Sequence, residues 1–233
     1  MLFLHETHQV RGKREEDFEA ALRDGWMKRL AQGDQARLLW YANQAHGSGA
    51  SYQVVTVTGI ADGAWEDLAR RIQSGDLQKF MRELDELRHD VEGKLMLPVN
   101  WSPLKAVDLA TVPTDAREHE LSLFMEDTGW PDVALDEYIR FWDEDYYQVL
   151  SRYELGRALL DIQACFQVAH GTHRRREAVL WQKIVNQEAL LHLLANEVPE
   201  EQKGADSYMV KALEFRDQWQ SRLLRTSAWS PLY

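Results

Sequence analysis

The tetrapeptide WSPL stands at 101–104 and again at 229–232. A single recurring tetrapeptide proves little, so the order of other matches matters. MLFLHE at 1–6 is answered by LSLFME at 121–126, and AHG at 45–47 returns at 169–171. The offsets run 120, 124 and 128, increasing along the chain as small insertions in a second copy would make them. Three collinear matches predict a tandem duplication. The fold must therefore be one that two similar units of ordinary domain size, roughly 100 residues each, can build together.

Each copy reads with the same element order. LFLHETHQV is a short apolar run, and the stretch after it places Phe18, Leu22, Trp26 and Leu30 at helical spacing before Gly33. In the second copy Leu135, Ile139, Trp142, Tyr146, Val149 and Tyr153 form the corresponding stripe. Next come two strands around a bend, ARLLWYANQAH with YQVVTVTGI, then ALLDIQACFQVAH with REAVLWQKI. AHG marks the bend in both. Residues 64–93 and the stretches QEALLHLLANEV and SYMVKALEFRDQWQS read as helical. KLMLPVNW and RLLRTSAW supply the last strand, which Pro103 and Pro231 then stop at a sheet edge. The order β-α-β-β-α-β is the ferredoxin-like plan, an α+β class. The expected organisation is a first unit at 1–107, a linker at 108–118 containing Pro113, and a second unit at 119–233. Two such units can pair their sheets and bury both inner faces.

Aligned through AHG, Leu38, Trp40 and Ala42 match Ile162, Ala164 and Phe166 as one apolar strand face. Leu39, Tyr41 and Asn43 then share the other face with Gln163, Cys165 and Gln167. Buried amides on that face need partners, supplied by each other or by a polar ligand.

Composition excludes several functions. The formal net charge is −11 and the longest basic run is Arg174-Arg175-Arg176, so no nucleic-acid partner is expected. No run approaches the ~18 apolar residues that span a bilayer. The only cysteine, Cys165, can form no intrachain disulfide, and MLFLHETHQVRGKREE is no secretory signal, so a cytoplasmic location without membrane contact is expected. Nine tryptophans imply thick packing or a flat hydrophobic ligand.

KLMLPVNWSPL resembles the closing segment of NIPSNAP proteins, and YQVVTVTGIADGAWEDLARRI resembles that family's strand-to-helix passage. The second copy keeps WSPL but has RLLRTSA before it. The resemblance implies a dimeric α+β barrel, here closed within one chain, with higher association through Trp-rich helices left open. That superfamily includes cofactor-independent oxygenases, isomerases and haem-binding members, whose ligands sit between a sheet and its helices. The resemblance carries no catalytic motif.

Candidate chemistry is sparse. His5 and His8 in HETH point to opposite faces of a strand and cannot easily share a metal. His170 and His173 meet at a bend with Glu177 as the nearest further ligand, too small a set. His192, among leucines, is the histidine most suited to haem, although no cofactor is expected. The expected ligand is a small hydrophobic aromatic molecule. His170 or Arg140 would handle a proton or stabilise an anion, and Trp142, Tyr146, Gln163, Gln167 and Trp181 would line the pocket. The enzyme reading is a cofactor-independent oxygenase or isomerase; its rival is a non-catalytic interaction or ligand-binding protein.

Overall fold

The computed structural model describes residues 1–152, 158–172, 174–197, 200 and 203–233. In the first half, strand β1 (Leu2–Val10) leads to helix α1 at 15–31, then β2 (Ala36–Gln44) and β3 (Gln53–Ile60). Helices α2 (Trp65–Ser74) and α3 (Gln78–Asp85) and strand β4 (Arg88–Pro98) complete it. The second half repeats the order with β5 (Leu123–Trp130), helix α4 at 135–150, β6 (Leu160–His170) and β7 (Ala178–Ile184). Helices α5 (Gln187–Ala195) and α6 (Tyr208–Lys211) and strand β8 (Gln218–Thr226) follow. Both first helices contain a π-helical stretch, Ala21–Trp26 and Trp142–Tyr147, where two large tryptophans reach the sheet.

The strands close into one barrel in the order β1-β3-β2-β8-β5-β7-β6-β4. All neighbours are antiparallel. Each half is a four-stranded ferredoxin-like sheet, and the halves meet edge to edge through β2–β8 and β4–β6. The fold is a dimeric α+β barrel built within one chain. Closure leaves no free sheet edge, so the closing strands are not edges.

Two strand boundaries differ from the sequence expectation. Residues 88–93 and 218–221 are the opening turns of β4 and β8, not helix. Their helical appearance came from charge-rich composition, and pairing with β1 and β5 overrides it. WSPL also lies beyond these strands rather than inside them. Ser102 Oγ accepts the Cys165 amide at 2.9 Å, while the Leu104 amide donates to the Gln163 carbonyl at 3.2 Å. In the other half Ser230 Oγ accepts the Tyr41 amide at 3.1 Å, and the Leu232 amide donates to the Leu39 carbonyl at 2.8 Å. Each copy of the phrase thus ties down the opposite half's inner strand.

The tie occupies a β-bulge. Pairing slips between Leu38 and Trp40 in β2 and between Ile162 and Ala164 in β6. A bulge spends one residue without a partner and breaks strict alternation. Leu38 and Tyr41 therefore face the helices, whereas Leu39, Trp40 and Ala42 face the barrel interior. Ile162 and Cys165 likewise turn outward, and Ala164 and Phe166 inward. The expected grouping of Leu38 with Trp40, and of Ile162 with Ala164, fails for this reason.

At one end the interior is apolar, with Phe3 against Phe166 at 4.8 Å and Trp181 against both Trp40 and Phe124 at 5.4 Å. Val112, from the stretch between the halves, is buried in this cluster. That stretch is therefore packed despite its lack of periodicity. Among the described residues, no helix is long and apolar enough to cross a membrane.

Candidate functional site

Strand register relates the halves residue by residue. Phe3 lies opposite Gly59 and Phe124 opposite Lys183, and 59 and 183 differ by the AHG offset of 124. Phe3 thus corresponds to Phe124, His5 to Glu126 and Glu6 to Asp127. His5 and Glu126 point inward and meet, His5 Nε2 lying 2.7 Å from Glu126 Oε2. Arg222 donates to Glu126 Oε1 at 2.5 Å and to Thr7 Oγ1 at 3.2 Å. Lys94 pairs with Glu177, which also accepts from Trp130 Nε1 at 2.9 Å. Burial alone would raise the Glu126 carboxyl, but the charges of Arg222 and His5 outweigh it and hold the group well below the usual range. This inner layer joins the halves.

The residues after them, Glu6 and Asp127, point outward into the layers between sheet and helices. Around Asp127 the second half assembles a polar group within an aromatic shell. Gln182 Nε2 donates to Asp127 Oδ2 at 2.9 Å, and the Tyr146 hydroxyl donates to Gln182 Oε1 at 2.8 Å. Ser221 also bonds to this carboxyl. Arg216, from the turn before β8, lies beside the Tyr138 and Tyr208 hydroxyls, with its guanidinium 4.9 Å above the Trp219 ring. Four buried atoms here lack a well-formed hydrogen bond among the described residues: Asp127 Oδ1, Tyr138 Oη, Trp142 Nε1 and Arg216 Nε. Gly129 makes the arrangement possible, because a Cβ there would overlap the Tyr138 hydroxyl. Tyr138, Phe141, Tyr208 and Phe215 supply the shell, the Phe141 and Phe215 rings stacking at 4.2 Å.

Burial raises the Asp127 carboxyl, with the Ser221 and Gln182 hydrogen bonds and Arg216 opposing it. Burial also pushes Tyr208 up to about 12 and holds Tyr138 and Tyr146 well above the usual phenol range. These hydroxyls therefore stay protonated and act as neutral donors. One carboxylate that can accept a proton faces several donors and a cation that can hold an oxyanion.

The structure brings only two of the sequence-derived residues to this place, Trp142 and Tyr146. Trp181 lies in the barrel interior. Gln163 bonds Asp161 at 2.7 Å in a separate surface cleft of about 690 Å³ shared with Lys183. Gln167 and Arg140 line another cleft of about 450 Å³ beside Trp101. His170 is exposed at the end of β6, opposite Leu95. His173 lies outside the described residues, as does Tyr153. His192 is exposed and bonded to Asn196, which does not fit the apolar slot an axial haem ligand requires. Among the described residues no three His, Cys, Asp or Glu side chains form a metal-ligand group.

Sequence reasoning missed Asp127, Gln182 and Arg216. A signal for two of them existed: Arg88 and Arg216 are 128 apart, the WSPL offset, and Glu6 and Asp127 are both acidic at matching positions.

No family model and no curated protein matches this chain. Solved structures do. A "putative monooxygenase" from Lactobacillus acidophilus covers 99% of this chain and 97% of its own, at 7% identity and a TM-score of 0.58. An anthrone oxidase-like protein covers 97% of this chain and 91% of its own, at 8% identity and a TM-score of 0.61. A NIPSNAP family protein from Agrobacterium tumefaciens covers 44% of this chain and 97% of its own, at 18% identity and a TM-score of 0.36. The two whole-chain likenesses establish the fold.

Proposed function

We propose that the chain is a cofactor-independent enzyme that removes a proton from a flat, hydroxylated aromatic molecule in the second half. The observation that carries this reading is Asp127, a buried carboxyl with one unpartnered oxygen, set among the donors Tyr138, Trp142 and Arg216. Asp127 takes a proton from an acidic carbon or hydroxyl of the substrate. Arg216 and Tyr138 hold the oxygen on which the negative charge collects. Tyr146 and Gln182 fix the orientation of Asp127. In an isomerisation the proton returns to a different carbon. In an oxygenation dioxygen is the co-reactant: a ring CH2 becomes C=O, one oxygen atom is retained, and the other leaves as water. The same-fold anthrone oxidase-like protein makes an anthrone the first substrate to try.

The test is dioxygen uptake and quinone appearance with an anthrone. Asp127→Asn is expected to lower kcat by roughly 10²–10⁴-fold, the usual contribution of a general base. Turnover unchanged by Asp127→Asn would overturn the assignment. A second reading, binding through the surface without catalysis, is favoured by Leu191, Leu193 and Leu194, which are 66%, 50% and 66% exposed on α5. Absence of turnover and of anthrone binding, together with self-association lost on changing these leucines to polar residues, would support it.

A further inference from the structure

The outer face of the first half holds another polar cluster, which takes no part in the chemistry proposed for Asp127. Asp85 Oδ1 accepts from Arg88 Nε at 2.9 Å and from a terminal Arg88 nitrogen at 2.5 Å. The other terminal nitrogen of Arg88 lies 2.8 Å from His8 Nδ1. A guanidinium can only donate, so Nδ1 must be the bare nitrogen and the imidazole proton sits on Nε2. Burial, then the Arg88 and His5 charges, keep His8 neutral by lowering its pKa well below the usual value. His8 Nε2 is 3.0 Å from Thr56 Oγ1 and therefore donates to it. The Thr56 hydroxyl keeps its own proton for a further acceptor.

Glu6 stands opposite Thr56 on one side and opposite Gly93 on the other. A Cβ at Gly93 would meet nothing nearer than Leu4 Cδ1 at 3.9 Å, so the space beside Glu6 is open. The matching position in the second half, 128 residues on, is Ser221, which bonds to Asp127. Where the second half has a hydroxyl on its carboxyl, the first half has a gap. Two more hydroxyls on this sheet face, Tyr41 Oη and Thr58 Oγ1, are buried without a hydrogen-bond partner among the described residues, in residues 0% and 1% exposed. Leu4 and Phe18 make the neighbouring wall apolar, the Phe18 ring lying 5.2 Å from His8.

We propose that this gap is a second ligand site, which takes a small uncharged alcohol or phenol. Thr56, oriented by the Asp85–Arg88–His8 chain, donates to the ligand oxygen, and Glu6 accepts the ligand's hydroxyl proton in a hydrogen bond. A carboxylate ligand is disfavoured by Glu6 and Asp85 together. The two halves of the barrel thus carry different sites, the first defined by hydrogen-bond pairing to one hydroxyl and the second by a base facing several donors.

The experiment uses the full chain labelled with 15N at histidine, with phenol as the probe. Long-range proton–nitrogen correlation spectra are expected to show His8 as the Nε2–H tautomer. Phenol is expected to shift the His8 signals saturably in the unaltered protein and equally in Asp127→Asn. Gly93→Val fills the gap, and Glu6→Gln removes the charged acceptor; each is expected to weaken the phenol response at His8 at least tenfold, while Thr56→Ser preserves it. His8 signals that stay still up to the solubility of phenol would overturn the proposal, as would an unchanged response in both Gly93→Val and Glu6→Gln. Loss of turnover in Asp127→Asn with an intact His8 response separates this site from the one in the second half.

Discussion

Ser102 and Ser230 perform the same act on opposite halves of the barrel. Each hydroxyl accepts a buried amide proton from a bulged strand, at Cys165 and Tyr41 respectively, and each donates to a carbonyl two residues on, at Leu104 and Leu232. The tryptophan before each serine reaches the opposite half's first helix. Trp101 Nε1 donates to the Ile139 carbonyl at 3.1 Å, and Trp229 Nε1 to Glu19 Oε1 at 2.6 Å. The repeated phrase is therefore a reciprocal clasp between the two halves.

Replacing either serine by alanine leaves a buried amide without its acceptor. Each of Ser102→Ala and Ser230→Ala is expected to cost about 1–3 kcal/mol. The two sites share no partner, so the double variant should lose about the sum. Urea unfolding curves check both statements; a change below about 0.5 kcal/mol in either single variant would remove the clasp from the account of stability.

The inner layer predicts a pH dependence. The folded Glu126 carboxyl is held well below its unfolded value, chiefly because Arg222 and His5 overcome the effect of burial. Its contribution is therefore complete above the unfolded pKa, about 4.3, and declines as the pH falls below it towards the folded value. Glu126→Gln should be less stable than the unaltered chain at pH 7, with the difference shrinking in acid. Asp127 and Glu6, whose carboxyls burial raises, act in the opposite sense, costing stability as they ionise with rising pH. Thermal melts of Glu126→Gln and Asp127→Asn between pH 3 and 8 should diverge in sign.

Gly129 is expected to tolerate no side chain. A Cβ would strike both the hydroxyl and the ring of Tyr138, which is fully buried and has nowhere to move. Gly129→Ala should destabilise by about 1–3 kcal/mol through overpacking. Tyr138→Phe should relieve only part of this, because ring atoms as well as the hydroxyl lie too close. A double variant as stable as Tyr138→Phe alone would show that the strand shifts instead.

The segments 1–107 and 119–233 are expected to fail as separate proteins. Separation exposes the closing edges of β2, β4, β6 and β8 and strips the interior from Phe3, Trp40, Met96, Phe124 and Trp181. Each segment should be unfolded or self-associated by sedimentation and circular dichroism, and mixing them should restore a native-like spectrum. Two stable monomeric halves would contradict the dependence on closure.

Periodicity and repeat order made the eight-strand plan legible, because a strand of alternating Val and Thr or a stripe of large apolar residues is local information. The 128-residue offset even marked Arg216 as a counterpart of Arg88. What local pattern could not carry was the direction of side chains beyond Leu39 and Gln163, since one unpaired residue at each bulge reverses the facing of what precedes it. Nor could it show that His5 meets its own counterpart Glu126, or that Trp142 and Tyr146 gather around Asp127 while Arg140, His170 and Trp181 lie elsewhere. The sequence by itself determined two β-α-β-β-α-β units, because hydrophobic spacing and turn residues act within a few positions. Only the tertiary structure decided which charges are buried together and which carboxyls face open space, because barrel closure sets strands from distant parts of the chain side by side.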